Sequence, residues 1–291
     1  MAPDAGSLIL RIALPKGRMQ EGVFALMAEA GLPVRGGDRG YRPRIGRGGF
    51  DAKILKPQNI VEMLHVGSRD LGFAGADWVA ELGADVVEVL DTGLDPVQIV
   101  AASPIELLVD GRLPARHLTV ASEYERLTRR WIAEAGLDAT FVRSYGATEV
   151  FPPDDADCIV DNSATGSTLR ANKLAVVGEL MQSSTRLFAH PGALADPARR
   201  EAIASLALLL RSVIEARKRV VLEVNVAADR LEAVVAILPA MRHPTIATLH
   251  GEAGFAVKAA VPREDLPRLI PRIRAAGGTD ILVTTPSQIV A

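Results

Sequence analysis

The stretch Asp157–Asn172, DCIVDNSATGSTLRAN, sets the reading of the whole chain. Cys158–Asp161 is a short apolar run that closes on a carboxylate, as a buried strand with a polar tip would. Small and hydroxyl-bearing residues and one glycine follow, and Thr168–Leu174 then reads as a helix. A strand running through a short loop into a helix is the unit of an open α/β sheet, whose ligands sit at the carboxyl ends of the strands. Small side chains let several backbone N–H groups face one concavity, the helix start adds partial positive charge, and the hydroxyls add donors. A phosphate is the natural occupant, with Asp161 placed to accept hydrogen bonds from sugar hydroxyls. The stretch lacks the lysine of a P-loop and the three spaced glycines of a dinucleotide fingerprint. A Ser/Thr-rich N-cap turn with no ligand is the alternative.

Outward from this unit the same alternation continues. Upstream, Leu8–Leu14 reads as a buried strand, Met19–Ala30 as a helix ended by Gly31, and Phe50–Leu55 as a strand. Asn59–Val66 is a helix, Asp70–Ala74 a strand, and a short helix runs to Leu82. Val86–Leu90 and Gln98–Ala102 are further strands, then Leu118–Ala121, a helix over Tyr124–Ala135, and Thr140–Arg143. Arg35–Gly49, with five arginines and six glycines, reads as an exposed hairpin or loop. A crossing near Pro104 and a return near 185–190 predict two lobes, 1–104 with 186–219 and 105–185, with a cleft between them. Pro197–Arg219 is a long helix with one apolar face. From residue 220 to 291 the order becomes βαββαβ, the ferredoxin-like plan.

Composition narrows the function classes. The 291 residues carry 33 Lys and Arg against 35 Asp and Glu, a formal charge of −2, which leaves no global footprint for nucleic acid. Aromatic residues are 4%, too few for a base-stacking platform. A single cysteine, Cys158, excludes an intrachain disulfide and any multi-cysteine metal site, and its place in an apolar strand suggests packing rather than nucleophilic work. The five histidines have no metal-ligand spacing. No apolar run is long enough for a membrane span, and no basic segment precedes the first apolar run, so a cytoplasmic chain is expected.

Other polar groups fall at strand ends: Lys16-Gly17-Arg18 after the first strand, Lys56 after Leu55, and Gly75 with Asp77 after the strand ending near Ala74. Cations there suit a polyanion such as a pyrophosphate or triphosphate. Taken singly, each lysine or arginine there is more often solvent-exposed decoration than a ligand contact, and Glu149 is readable as a carboxylate at a helix start and nothing more.

Four segments resemble the ATP phosphoribosyltransferase family: IALPKGR (Ile12–Arg18), LKPQNIVEMLHVGSRDLGFAGAD (Leu55–Asp77), DCIVDNSATGSTLRANKL (Asp157–Leu174) and LEVNVAADRLEAVVAILPAMRHPTIATL (Leu222–Leu249). The last resembles the regulatory domain of the long form. The resemblance implies an α/β fold: a two-lobed, periplasmic-binding-protein-like catalytic part and a C-terminal ferredoxin-like regulatory domain. It implies the joining of ATP and 5-phosphoribosyl 1-pyrophosphate, with Mg2+, to give N1-(5-phosphoribosyl)-ATP and pyrophosphate. Asp161 would hold ribose hydroxyls, and Ser163, Ala164, Thr165, Gly166, Ser167 and Thr168 would cradle the 5-phosphate. Lys16, Gly17, Arg18, Lys56, Gly75 and Asp77 would line the nucleotide and pyrophosphate side, with Glu149 nearby. L-Histidine would inhibit through the tail, with Asn225, Thr245 and Thr279 as its contacts. Homo-oligomers, dimer to hexamer, are implied.

Three departures from the family pattern stand out. Asn162-Ser163 replaces a commoner apolar–hydroxyl or apolar–acidic pair. Lys56 stands where arginine is commoner, and lysine lacks arginine's bidentate fork. Asn225 stands where at least some histidine-inhibited members carry an aspartate. The competing functions are a non-enzymatic two-lobed solute-binding protein and a phosphoribosyltransferase acting on another base.

Overall fold

A computed structural model describes residues 8–37, 40–46 and 48–290. Residues 1–7, part of the basis for excluding a secretory signal, and Asp38, Arg39 and Arg47 of the Arg/Gly-rich stretch lie outside the described residues. The chain forms two compact units, residues 1–25 with 32–204, and 26–31 with 205–291.

The first unit opens with β1 (Leu10–Pro15), then α1 (Arg18–Glu29), most of which belongs to it, the hairpin strands β2 (Val34–Gly37) and β3 (Gly40–Ile45), and β4 (Phe50–Leu55). It continues through α2 (Pro57–His65), β5 (Leu71–Gly75), α3 (Ala76–Leu82) and the long β6 (Val87–Pro104). Next come β7 (Leu118–Ser122), α4 (Glu125–Glu134), β8 (Ala139–Arg143), β9 (Cys158–Ser163), α5 (Ser167–Ala171), β10 (Leu174–Ala189) and α6 (Pro191–Ala195). The helix α7 (Pro197–Lys218) starts in this unit and ends in the other.

One eight-stranded sheet carries this unit, in the order β4-β1-β5-β10-β6-β9-β7-β8. Its flanks are parallel, β4-β1-β5 on one side and β9-β7-β8 on the other. The two flanks are the two lobes, joined by β10 and β6, which run antiparallel to each other and to the strands they meet. Helices cover the flanks: Ile60, Val61 and Leu64 of α2 pack on Ala13 and Ala74, and Leu127 of α4 packs with Val120, Cys158 and Val160. Each large aliphatic group buried in this way contributes about 1.5–3 kcal/mol.

The joining strands correct the sequence reading. Val86–Leu90 and Gln98–Ala102 are parts of the single strand β6, and the turn signals between them are absorbed as irregularities. Gly93 and Asp95 take positive φ of 66° and 47°, and the pairing with β10 shifts register near them. The helix expected over Thr168–Leu174 is one short turn, α5, and Leu174 already begins β10.

The second unit has its own sheet. β11 (Arg219–Val226), α8 (Leu231–Val235), β12 (Thr245–Thr248), β13 (Phe255–Pro262), α9 (Leu266–Ala275) and β14 (Thr279–Thr284) follow in the expected βαββαβ order. The strands lie β12-β13-β11-β14, the ferredoxin-like arrangement. Strict alternation along β11 sends Val220, Leu222, Val224 and Val226 into a core with Val234, Leu269 and Ile273 of the helices. Glu223 and Asn225 therefore stand on the opposite face. No helix among the described residues is long and apolar enough to cross a membrane.

Candidate active site

The tip of β9 meets the tips of β1 and β5 through two adjoining cavities of the first unit. One, of about 220 Å³, is lined by Arg18, Glu149, Asp161 and residues 162–169. The other, of about 300 Å³, is lined by Lys16, Arg18, Gly75, Asp77, Tyr124 and Asn162, among others. Arg18 and Asn162 line both. Gly17 and Lys56 are exposed neighbours of this lining, Gly17 in the turn before α1 and Lys56 at the N-cap of α2, beside the lining residue Pro57.

The loop after β9 is held by its own polar atoms. Ser163 Oγ accepts from the Gly166 N–H at 3.1 Å, Thr165 Oγ1 bonds Ser167 Oγ at 2.9 Å, and Gly166 takes a left-handed φ of 69°. A Cβ at Gly166 would also press on Arg170 Nη1 at 3.0 Å, so glycine suits both the backbone and the space. Ala164, Thr165, Ser167 and Thr168 remain exposed at the cavity. The helix that follows is only five residues long, so the loop's own N–H and O–H groups supply the anion-facing donors rather than a helix dipole.

Asp161 is half-buried at the strand tip. Burial, followed by the charges of Glu149 and Glu123, pushes its carboxyl up to about 6, against the pull of the Asn162 N–H, which donates to Oδ1 at 2.7 Å. Near neutral pH this carboxylate is ionised, poorly solvated, and suited to accept from hydroxyls. Cys158 is fully buried, and burial pushes its thiol up to about 12, in line with a packing role.

Asp77 begins α3 and is buried. Its Oδ1 accepts from Ser183 Oγ at 2.6 Å, and its Oδ2 accepts from the Tyr124 hydroxyl at 2.8 Å. Gly75 makes room for it, since a Cβ there would lie 2.1 Å from Asp77 Oδ1. Tyr124 stacks on Trp78 with ring centroids 4.7 Å apart, and burial, followed by the Asp77 charge, holds its proton on. Three residues after Trp78 on α3, Glu81 accepts from the Arg126 and Leu127 N–H groups, both at 3.0 Å, capping α4 from the facing lobe. Lys16 Nζ donates to the Tyr41 hydroxyl at 3.3 Å and lies 5.0 Å from that ring, so β3 adds a wall beside the cations.

The structure thus brings together Lys16, Arg18, Gly75, Asp77, Glu149, Asp161 and Ser163 to Thr168. Sequence reasoning missed Tyr124, Trp78 and Ser183. Tyr124 stands two residues past the end of β7, at the N-cap of α4, a usable signal; Ser183 lies on β10, a strand that was not foreseen. In the second unit Asn225 pairs in register with Thr279, and its Nδ2 donates to Asp280 Oδ2 at 3.2 Å. Thr245 is on β12, two strands from β11, about 10 Å away in the sheet. Among the described residues no group of three or more His, Cys, Asp or Glu side chains is arranged to hold a metal ion.

Comparison with known proteins identifies the family. The family HisG, ATP phosphoribosyltransferase, matches residues 56–212, and the HisG C-terminal domain family matches residues 216–286. A curated ATP phosphoribosyltransferase of Chlorobium phaeovibrioides is 37% identical over 282 residues, covering 94% of this chain and 95% of the relative. One of Desulforudis audaxviator is 36% identical over 286 residues, covering 97% and 99%. A chain of the ATP phosphoribosyl transferase (HisG:HisZ) complex of Thermotoga maritima shares the fold, with a TM-score of 0.63, 24% identity, and coverage of 71% of this chain and 99% of that one. The chain belongs to the ATP phosphoribosyltransferase family.

Proposed function

We propose that the two adjoining cavities bind the two substrates of one displacement, 5-phosphoribosyl 1-pyrophosphate against the 161–168 loop and ATP on the side of Lys16, Arg18 and Asp77. The observation that carries this reading is the loop: exposed hydroxyls and backbone donors beside a strand-tip carboxylate, opening next to a second cavity with cations in its wall. The loop holds the 5-phosphate, and Asp161 accepts from the ribose hydroxyls. Adenine N1 of ATP attacks the anomeric carbon; the C–O bond to pyrophosphate breaks and its electron pair leaves with the pyrophosphate. Positive charge builds on the ribose ring in the transition state, and the ionised Asp161 opposes it across a short, poorly solvated distance. Arg18, lining both cavities, faces the departing anion, with Lys16 and Lys56 adding positive charge. Alignment and charge neutralisation supply the rate, and no side-chain nucleophile is needed.

Mg2+ fits as an ion carried on the substrate, since magnesium is usually held by phosphates and a few waters rather than by a protein cage. Its chemistry would be to neutralise the pyrophosphate. The nature of the substrates, both phosphorylated metabolites, supports a cytoplasmic enzyme. L-Histidine inhibition is assigned to the open face of the second sheet, at Asn225 and Thr279, with Thr245 reached only by a ligand that spans two strands or by assembly into dimers and hexamers. The division into lobes 1–104 with 186–219, and 105–185, with a regulatory domain at 220–291, follows the same reading.

The test is to mix the purified chain with ATP, 5-phosphoribosyl 1-pyrophosphate and Mg2+ and to follow the adduct by its absorbance at the long-wavelength side of the adenine band. Formation of the adduct with release of pyrophosphate is expected. Turnover of free bases with none of ATP would replace this reading by a different phosphoribosyltransferase.

A further inference from the structure

Asn162 is a departure from the family pattern that the displacement reaction, as described, leaves without a role. It is one of two residues that line both cavities. Its side-chain amide nitrogen donates two bonds. Nδ2 donates to Asp161 Oδ1 at 3.1 Å and to the Tyr124 hydroxyl oxygen at 3.4 Å. The Tyr124 hydroxyl in turn donates to Asp77 Oδ2, and Ser183 donates to the other oxygen of Asp77. The donor directions are consistent from end to end. Both partners of the amide nitrogen accept, because an ionised carboxylate has no proton and the tyrosine proton is committed to Asp77. This is a continuous brace from the carboxylate of one cavity to the carboxylate of the other, crossing from β9 to α3. An apolar residue at 162 would break it at two bonds.

We infer that Asn162 is a positioning residue for the transfer reaction, fixing the Asp161 carboxylate toward the sugar and tying it, through Tyr124, to Asp77 on the nucleotide side. This rests on the reading of Asp161 as the carboxylate that holds the ribose. The inference adds that the alignment of the two substrate sides is built into one hydrogen-bonded chain. The orientation of Asp161 then depends on a neighbour that does not itself react.

The charge consequence has a definite sign. Charged and titratable groups around Asp161 are Glu149 after β8, Glu123 before α4, the Tyr124 hydroxyl, and Arg18 across the cavity. Removing a donor from the charged form makes protonation easier, and adding a carboxylate beside it does so more strongly. Activity that needs the ionised Asp161 is therefore lost at a higher pH in either case.

The experiment compares Asn162→Val, Asn162→Asp, Tyr124→Phe, Asn162→Val with Tyr124→Phe, and Asp161→Asn in the full chain. Each is followed as kcat/KM for 5-phosphoribosyl 1-pyrophosphate against pH. The substrates' own phosphates titrate equally in every variant, so differences between variants report the protein. Asn162→Val should lower kcat/KM by about tenfold and move the acid limb up by about one pH unit. Asn162→Asp, isosteric with the native residue, should move the limb further in the same direction. Tyr124→Phe keeps the ring on Trp78, and the double variant should lose less than the product of the two single losses, because both changes cut the same chain. The inference is overturned if Asp161→Asn loses activity while both Asn162 variants keep the parental acid limb. Independent, multiplying losses would likewise overturn the tie through Tyr124. If Asp161→Asn itself keeps full activity, the reading of Asp161 falls instead, and the two failures are told apart by that variant.

Discussion

In the eight-stranded sheet the polar groups of the site run into the interior: Asp77 is 5% exposed, Ser183 4% and Tyr124 2%, and each is hydrogen-bonded to another. In the four-stranded sheet Asn225 and Thr279 stand on the face opposite the one that α8 and α9 cover, and the bonds among Asn225, Thr279 and Asp280 are exposed. The first arrangement fixes geometry at the cost of desolvating charge, whereas the second is open to solvent and can exchange partners. Buried polar networks strengthen each bond and penalise each vacancy, and exposed ones do neither. Chemistry that needs aligned reactants belongs in the first setting, and a reversible small-ligand site belongs in the second.

The largest effect should come from removing the strand-tip carboxylate. Asp161→Ala is expected to reduce kcat by about 100-fold or more, the scale seen when a preorganised charge partner of a transition state is removed. Thr165→Ala should also lose most of the turnover, chiefly through a raised KM for the phosphoribosyl donor. Both side chains lie at the cavity rather than in the core, so circular dichroism should match the parent and neither variant should unfold at a markedly lower temperature. An unchanged rate in both variants would remove the loop from the site.

Asp77→Ala tests the interior half of the contrast. It leaves the buried Tyr124 hydroxyl and Ser183 hydroxyl without their acceptor, at about 1–3 kcal/mol for each unsatisfied group. A loss of about 3 kcal/mol in urea unfolding is expected, whereas alanine at the exposed Thr279 should cost under about 0.5 kcal/mol. Equal losses at the two positions would erase the distinction between the sheets.

Asp161→Asn should trade activity for stability. The Asp161 carboxyl is held above its ordinary range, up to about 6, so the folded state binds this proton more tightly than the unfolded chain does. The contribution of the group to stability is greatest below the unfolded value and is lost as the pH rises through about 6. Near neutral pH the ionised group therefore destabilises the fold. Asp161→Asn should raise stability by about 1–2 kcal/mol at pH 7.5, and the gain should vanish near pH 4. Unfolding curves at the two pH values check this, and a loss of stability at pH 7.5 would mean that the carboxylate is well satisfied.

The contrast also explains what could be read from the residues alone. Short strands with strong alternation, such as β11, and runs with a clean end, such as Cys158–Asp161, carry their own signal because burial on one face writes a period into the sequence. β6 and β10 do not. They cross between two lobes, so their burial changes along their length, and Gly93 and Asp95 put turn residues inside a continuous strand. The loop residues 161–168 and the cations at Lys16 and Arg18 were legible because strand tips are where an α/β sheet keeps its ligands. Tyr124, Trp78 and Ser183 were not, because an aromatic pair and a lone hydroxyl reveal their purpose only when a buried aspartate from another lobe arrives beside them. Asn162 was visible as an oddity, and its two acceptors are known only from the fold.

The smallest expected effect probes the open face. Asn225 donates to Asp280 Oδ2, so one carboxylate already stands where a ligand's ammonium group would be attracted. Asn225→Asp would set a second carboxylate against it. At an exposed position the mutual repulsion costs little, about 0.5 kcal/mol, and a bound ammonium would relieve it. The half-inhibiting concentration of L-histidine, measured relative to each enzyme's own uninhibited rate, should therefore fall by about three- to tenfold, and the gain should shrink at high salt because the site is solvent-screened. The Asp161 variants should leave that half-inhibiting concentration within twofold of the parent wherever their rate can still be measured. If Asn225→Asp raises it or leaves it unmoved, the face of β11 and β14 does not take the amino group, and the contrast between a braced interior and an exchangeable surface would have to rest on a ligand bound elsewhere on the second unit.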